Sequence, residues 1–99
     1  MPPRPELLAA LGNETRLRIL LALAKYREDA LSIYKIAKFS GLDRRIVKRH
    51  LVTLINANLV TNRSHNQLSF YTLNNESPQI QKLLDIFNDA RLLTPIQLW

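Results

Sequence analysis

Arg44, Arg45, Lys48 and Arg49 crowd four cations into one short stretch of the chain, at the spacing of an α-helix. At about 100° per residue, Arg45, Arg49 and Val52 fall on one side, with Lys48 and Thr53 flanking them. Val47, Leu51, Leu54 and Asn58 fall together on the opposite side, and Ile55 sits at the edge of that stripe. One face suits a core and the other suits a polyanion. The chemistry on offer is ionic contact with phosphate and paired hydrogen bonds from a guanidinium to guanine O6 and N7. An isolated basic face is usually just solvated, so the elements around this helix decide between the two readings.

Asp43 is a good N-cap, because its carboxylate can accept from the orphan N–H groups of the first turn. The helix then runs over 43–56, where Asn58 can end it in the left-handed conformation. Before it, Ser32 starts a second short helix over 32–40. Ile33, Ile36, Ala37 and either Phe39 or Leu42 face inward there, and Tyr34, Lys35 and Lys38 face out. Gly41-Leu42 between them is the joint of a helix-turn-helix. After the basic helix, 59–63 and 68–73 form a β-hairpin, a wing, around the polar tip Ser64-His65-Asn66-Gln67. Leu59 and Thr61 are expected to share one face of the first strand. On the second, the alternation leaves open whether Leu68, Phe70 and Thr72 or Ser69, Tyr71 and Leu73 face inward.

The remaining segments supply the scaffold. Pro5 suits the first position of a helix, and 6–11 gives a short one that Gly12 stops. Asn13 caps a helix from Glu14 to about Tyr26, with a stripe of Leu17, Leu20, Leu21 and Ala24 that Ile19 and Leu23 widen. Arg16 and Arg18 are expected in solvent. Ala30-Leu31 can pair with the base of the wing as a short strand. Ser77-Pro78 starts the last helix, which runs to about Leu92 on a stripe of Ile80, Leu83, Leu84 and Phe87. The expected class is mainly α with a small β-hairpin: a single winged helix-turn-helix domain over 1–99. It has about five helices and a wing of two or three strands.

With 99 residues there is room for one modest core. Residues 35–63 hold seven basic side chains, Lys35, Lys38, Arg44, Arg45, Lys48, Arg49 and Arg63, against the single acid Asp43. The other seven Lys/Arg and seven Asp/Glu cancel, so the whole formal charge of +6 lies on this segment. Solubility does not require such localisation, whereas a phosphate backbone favours it. The absence of cysteine excludes a disulfide framework and a thiolate metal site. Gly12 and Gly41 are the only glycines, so there is no phosphate-cradling glycine loop, and no nucleophile, histidine and acid form a catalytic set. No enzyme, cofactor or metal is expected. Neither a signal peptide nor a membrane span is visible, which makes a cytoplasmic, nucleoid-associated protein the expectation.

Asn13-Glu14-Thr15-Arg16-Leu17-Arg18-Ile19-Leu20 resembles the D-P-T-R-L-R-I-L opening of the arsenical-resistance-repressor (ArsR-type) winged-helix family. Ile36-Ala37, Ser40-Gly41-Leu42, Val47-Lys48-Arg49-His50-Leu51, Leu54 and Asn58-Leu59-Val60 resemble that family's later motif, and Tyr71-Thr72-Leu73 the end of its second wing strand. The resemblance implies a prokaryotic transcription regulator that binds double-stranded DNA as a homodimer. It puts Arg44, Arg45, Lys48 and Arg49 in the major groove and Arg63, Ser64, His65, Asn66 and Gln67 near the flanking backbone or minor groove. Lys35 and Lys38 complete the expected DNA contacts. Residues 5–12 and 78–99 contribute the expected dimer interface, through Leu7, Leu8, Leu11, Ile80, Leu83, Leu84, Phe87 and Trp99. The family's thiolate sensor site cannot exist here. Asp85 and Asp89 share an i, i+4 spacing, but the last helix has no histidine to complete a second type of site. A metal or small-molecule effector is therefore not expected. The competing reading is an architectural protein that coats DNA with little sequence preference. A winged helix used for protein interaction would not need all its excess charge on the helix-turn-helix.

Overall fold

In the computed structural model, which describes residues 12–93, Asn13, Ser32 and Asp43 each start a helix by the same means. The Asn13 side chain accepts from the Arg16 N–H at 3.0 Å, Ser32 Oγ from Lys35 at 3.2 Å and Asp43 Oδ1 from Arg45 at 2.7 Å. Each satisfies a donor that the helix itself leaves without a partner. The helices are α1 (Glu14–Lys25), α2 (Ile33–Ser40) and α3 (Arg44–Asn56). Strands β1 (Val60–His65) and β2 (Leu68–Leu73) follow, then α4 (Pro78–Asp89). These are the four helices of the described residues; the helix expected over 6–11 lies outside them.

Three of the helices end alike. Gly41, Asn58 and Arg91 take φ of 73°, 62° and 58°. In each case the next residue is a leucine whose N–H reaches back five residues: Leu42 to Ala37 at 3.2 Å, Leu59 to Leu54 at 3.0 Å and Leu92 to Phe87 at 2.9 Å. The left-handed residue turns the chain and the six-to-one bond satisfies a terminal carbonyl. Leu59 becomes fully buried and Leu42 packs against the core, while Leu92 stays exposed. Asn58 therefore lies past the end of α3 and is exposed; it does not extend the apolar stripe. At α4 the left-handed Arg91 stops the helix at Asp89, short of the expected Leu92. Ser77 precedes α4, but its hydroxyl bonds Gln79 Oε1 at 3.4 Å and caps no backbone N–H.

The core gathers Ile19, Leu20, Leu23, Leu31, Ile36, Val47, Leu51, Leu54, Leu59, Val60, Leu73, Ile80 and Leu83, all at most 3% exposed. α1 lies across α2, α3 and β2. Because it meets neighbours on several sides, it buries Ile19, Leu20, Ala22, Leu23 and Ala24, and leaves the expected Leu17 and Leu21 half-buried. On α2 it is Leu42 that packs inward, whereas Phe39 stacks on Tyr26 with ring centroids 4.1 Å apart.

The hairpin pairs Val60 with Leu73 and His65 with Leu68, closing on a two-residue turn. Both turn residues, Asn66 and Gln67, have positive φ, 50° and 67°, as the type I′ turn that matches strand twist requires. The strands therefore extend through Ser64 and His65, which were expected in the tip. Tyr71 and Leu73 are buried, so the set Ser69, Tyr71 and Leu73 faces inward. Opposite them, Val60 points in and Thr61 points out, where its hydroxyl pairs with that of Thr72 at 2.7 Å. The Thr61 expectation is overturned because Leu59 belongs to the end of α3 and the alternation starts one residue later. Leu31 adds the expected third strand segment as a single bridge to Tyr71, with N–H···O distances of 3.0 and 2.8 Å.

Candidate nucleic-acid interface

α3 buries Val47, Leu51 and Leu54 to 1% exposure or less and so fixes the opposite face outward. Arg44, Arg45, Lys48, Arg49 and Val52 are exposed there. Gly41 and the bond from Leu42 to Ala37 set the turn between α2 and α3, and Lys35 and Lys38 are exposed on α2. Arg63 is exposed on β1, paired across the hairpin with Phe70. No ion pair among the described residues engages these seven cations; the ion pair formed by Arg18 and Glu14, at 3.7 Å, lies on α1. Asp43, the only acid of the segment, uses one oxygen to cap α3. Among the described residues the positive field of the surface is thus left uncompensated, and a polyanion can meet it without first breaking a salt bridge there.

Two residues near this face escaped the helical wheel. Arg16 is half-buried, not solvated, and lies close enough to His50 to disfavour its charged form. His50 itself is half-buried on α3, and its Nδ1 is sealed from solvent with no hydrogen-bond partner among the described residues. Burial, then the charges of Arg16 and Arg49, push its pKa below the ordinary value of 6.5. His50 therefore favours its neutral form, on the arc of α3 between the buried stripe and Arg49. The signal in the sequence was its position on the helical wheel, between the Val47 stripe and Arg49.

The wing projects beside α3. Arg63, Ser64, His65, Asn66 and Gln67 are all exposed, as expected, although only Asn66 and Gln67 form the turn. Asn74 secures the wing's base. Its side-chain N–H donates to the Asn58 carbonyl at 2.8 Å and its backbone N–H to Leu59 O at 3.0 Å.

The residues expected at a dimer interface divide. Leu7, Leu8, Leu11 and Trp99 lie outside the described residues. Ile80, Leu83, Leu84 and Phe87 are already committed to the protomer's own core, none more than 4% exposed, because the α4 stripe folds back on the chain. The exposed apolar side chains at this end are Ile86 (45%) and Leu92 (43%). Asp85 and Asp89 share the solvent side of α4, whereas His50 and His65 belong to α3 and the wing. No three His, Cys, Asp or Glu are grouped among the described residues, and no described helix is long and apolar enough to cross a membrane.

Residues 13–62 match a family model described as bacterial regulatory protein, arsR family. Among solved structures, the chain is similar to HlyU from Vibrio cholerae N16961, at 29% identity over 86% of this chain and 87% of that one, with a TM-score of 0.70. It is also similar to NolR from Sinorhizobium fredii, at 25% identity over 91% and 95%, with a TM-score of 0.70. The homodimeric winged helix-turn-helix DNA-binding domain Mb0332 from Mycobacterium bovis shares the fold, at 23% identity over 95% and 85%, with a TM-score of 0.67. No curated protein sequence matches the chain.

Proposed function

The chain belongs to the arsR family of bacterial regulatory proteins, and on that premise we propose that it binds a specific near-palindromic site on double-stranded DNA as a homodimer. It is a regulator and not an enzyme. The recognition helix, 43–56, enters the major groove, and the wing, 59–73, lies on the flanking backbone or minor groove. Segments 5–12 and 78–99 contribute the dimer contacts, and the exposed Ile86 and Leu92 extend that apolar surface. Two-fold symmetry then sets the half-sites about 34 Å apart, or a multiple of that. Such a protein works where the DNA is, in the cytoplasm on the nucleoid.

The observation that carries this reading is the confinement of the net charge to one exposed surface whose cations form no ion pair among the described residues. Arg45 and Arg49 point directly away from the core stripe and are placed for base edges. Arg44, Lys35, Lys38 and Arg63 border them where phosphates pass, with Lys48 between the two groups. Ser64, His65, Asn66 and Gln67 offer hydrogen bonds at the wing's end. The test is a selection of bound fragments from the source genome, followed by affinities against random DNA. A preferred site at least ~10³-fold tighter than random sequence is expected. Uniform affinity for all sequences replaces the regulator with an architectural DNA-coating protein. Sedimentation at micromolar concentration is expected to show a dimer; a monomer there counts against the two-fold arrangement.

A further inference from the structure

We propose that Val52 reads the C5-methyl group of a thymine in each half-site, next to the base pair met by Arg49. This deepens the DNA-binding reading above and rests on it. Val52 is 56% exposed, and it stands on the side of α3 that carries Arg45 and Arg49. A β-branched residue is a mediocre choice for an exposed helix position, where arginine, lysine or alanine costs less. Neither phosphate nor solvent gives it anything to do.

Val52 is the one large hydrophobic side chain exposed on α3, whereas Tyr34 and Leu68, exposed still more, stand on α2 and at the start of β2. Tyr26 and Phe39 cover each other, and Ile86 and Leu92 belong to α4 and the residues just after it. Val52 is isolated. Lys48, Arg49 and Asn56, one turn away on either side, are exposed and polar, and Ile55 turns toward the core. A patch of one side chain flanked by Lys48 and Arg49 is too small and too charged for a protein partner. It does fit a methyl group at the centre of a polyanion. In the major groove the thymine methyl is the apolar feature that distinguishes one base from the other three, and aliphatic side chains meet it by contact.

The spacing adds a positional statement. Three residues advance a helix by about 4.5 Å, close to one base step of about 3.4 Å. The thymine therefore lies one or two base pairs from the guanine paired with Arg49.

The test uses the full chain and the highest-affinity duplex enriched from a randomised pool. Each thymine is replaced in turn by deoxyuridine, which removes the methyl and leaves every hydrogen-bonding group in place. Wild-type protein should lose about three- to fivefold in affinity at one symmetry-related pair of positions, the worth of roughly one buried methyl. Val52→Ala should lose at least as much on the thymine duplex and be indifferent to deoxyuridine at that pair. Arg49→Ala should keep the deoxyuridine effect. Wild type indifferent to every replacement overturns the proposal while leaving the operator reading intact. So does a Val52→Ala variant that still responds like wild type. A pool from which no sequence is enriched overturns both.

Discussion

α3 and α4 are amphipathic helices of 13 and 12 residues whose inner faces are alike. Val47, Leu51 and Leu54 on one and Ile80, Leu83, Leu84 and Phe87 on the other enter the same core. Their outer faces differ. α3 shows Arg44, Arg45, Lys48 and Arg49 with no acid, whereas α4 mixes Lys82 with Asp85 and Asp89. Both outer faces are soluble and both inner faces fold. Only the unbalanced one stores a field that a polyanion can discharge. The candidate contact surface thus lies on a face that the core does not use.

The largest effect should show where the two helices are equivalent. Leu51→Ala and Leu83→Ala each remove a buried side chain and should each cost about 2–5 kcal/mol in denaturant unfolding. A cost below about 1 kcal/mol for either would mean that its helix is not part of the shared core.

The next effect should show where the helices differ. Arg49→Ala should weaken the preferred site by about 1–3 kcal/mol and relax one base position, with stability changed by about 0.5 kcal/mol or less. Lys82→Ala, the matching change on α4, should leave binding untouched. Lys38→Ala should weaken all sequences alike and lower the salt slope by about one unit. Equal losses from Arg49→Ala and Lys82→Ala on every duplex would erase the distinction between the helices.

A smaller contrast concerns how the helices end. At Gly41 an added Cβ would meet nothing closer than Arg18 Nη1 at 4.0 Å, so Gly41→Ala costs only its left-handed backbone, about 1 kcal/mol. Arg91 accepts the same strain without being glycine. Arg91→Gly should therefore stabilise by about 0.5–1 kcal/mol. Thermal unfolding of the two variants should shift in opposite directions.

The smallest expected effect is that of pH. Folding holds His50 below its ordinary pKa, so the unfolded chain binds the extra proton first. The associated stability is complete above about 6.5 and is lost as pH falls through the lowered folded value. His50→Gln should flatten that part of the stability profile. Parallel profiles for wild type and variant would remove His50 from the account.

The starts of α1, α2 and α3 were legible because Asn13, Ser32 and Asp43 cap through local side-chain bonds, and Gly41 was legible because glycine alone takes its conformation freely. The outward set of α3 followed from the 3.6-residue period. What stayed hidden depends on contacts distant in sequence. Leu68-Ser69-Phe70-Tyr71-Thr72-Leu73 carries apolar groups in both phases, so only the bridge from Leu31 and the pairing of Val60 with Leu73 choose between them. Ser64 to Gln67 is uniformly polar, and polarity cannot tell a strand end from a turn. Arg16 looks solvent-facing on a lone helix, but α1 is crossed by neighbours on several sides. Arg91 carries no residue signal for ending a helix.

Asn74 has a consequence for motion. It ties the end of α3, through Asn58, to the foot of β1, through Leu59, while its Oδ1 accepts from the Glu76 N–H at 3.2 Å. The wing is therefore a cantilever: pinned at its root by Asn74 and by the bridge from Leu31 to Tyr71, opposite Asn62, and held beyond that level by its own ladder. Amide exchange should slow stepwise from Gln67 down to Val60 and Leu73. A load applied at the tip passes through the root into the last turn of α3, so the cationic helix and the wing share one mechanical hinge.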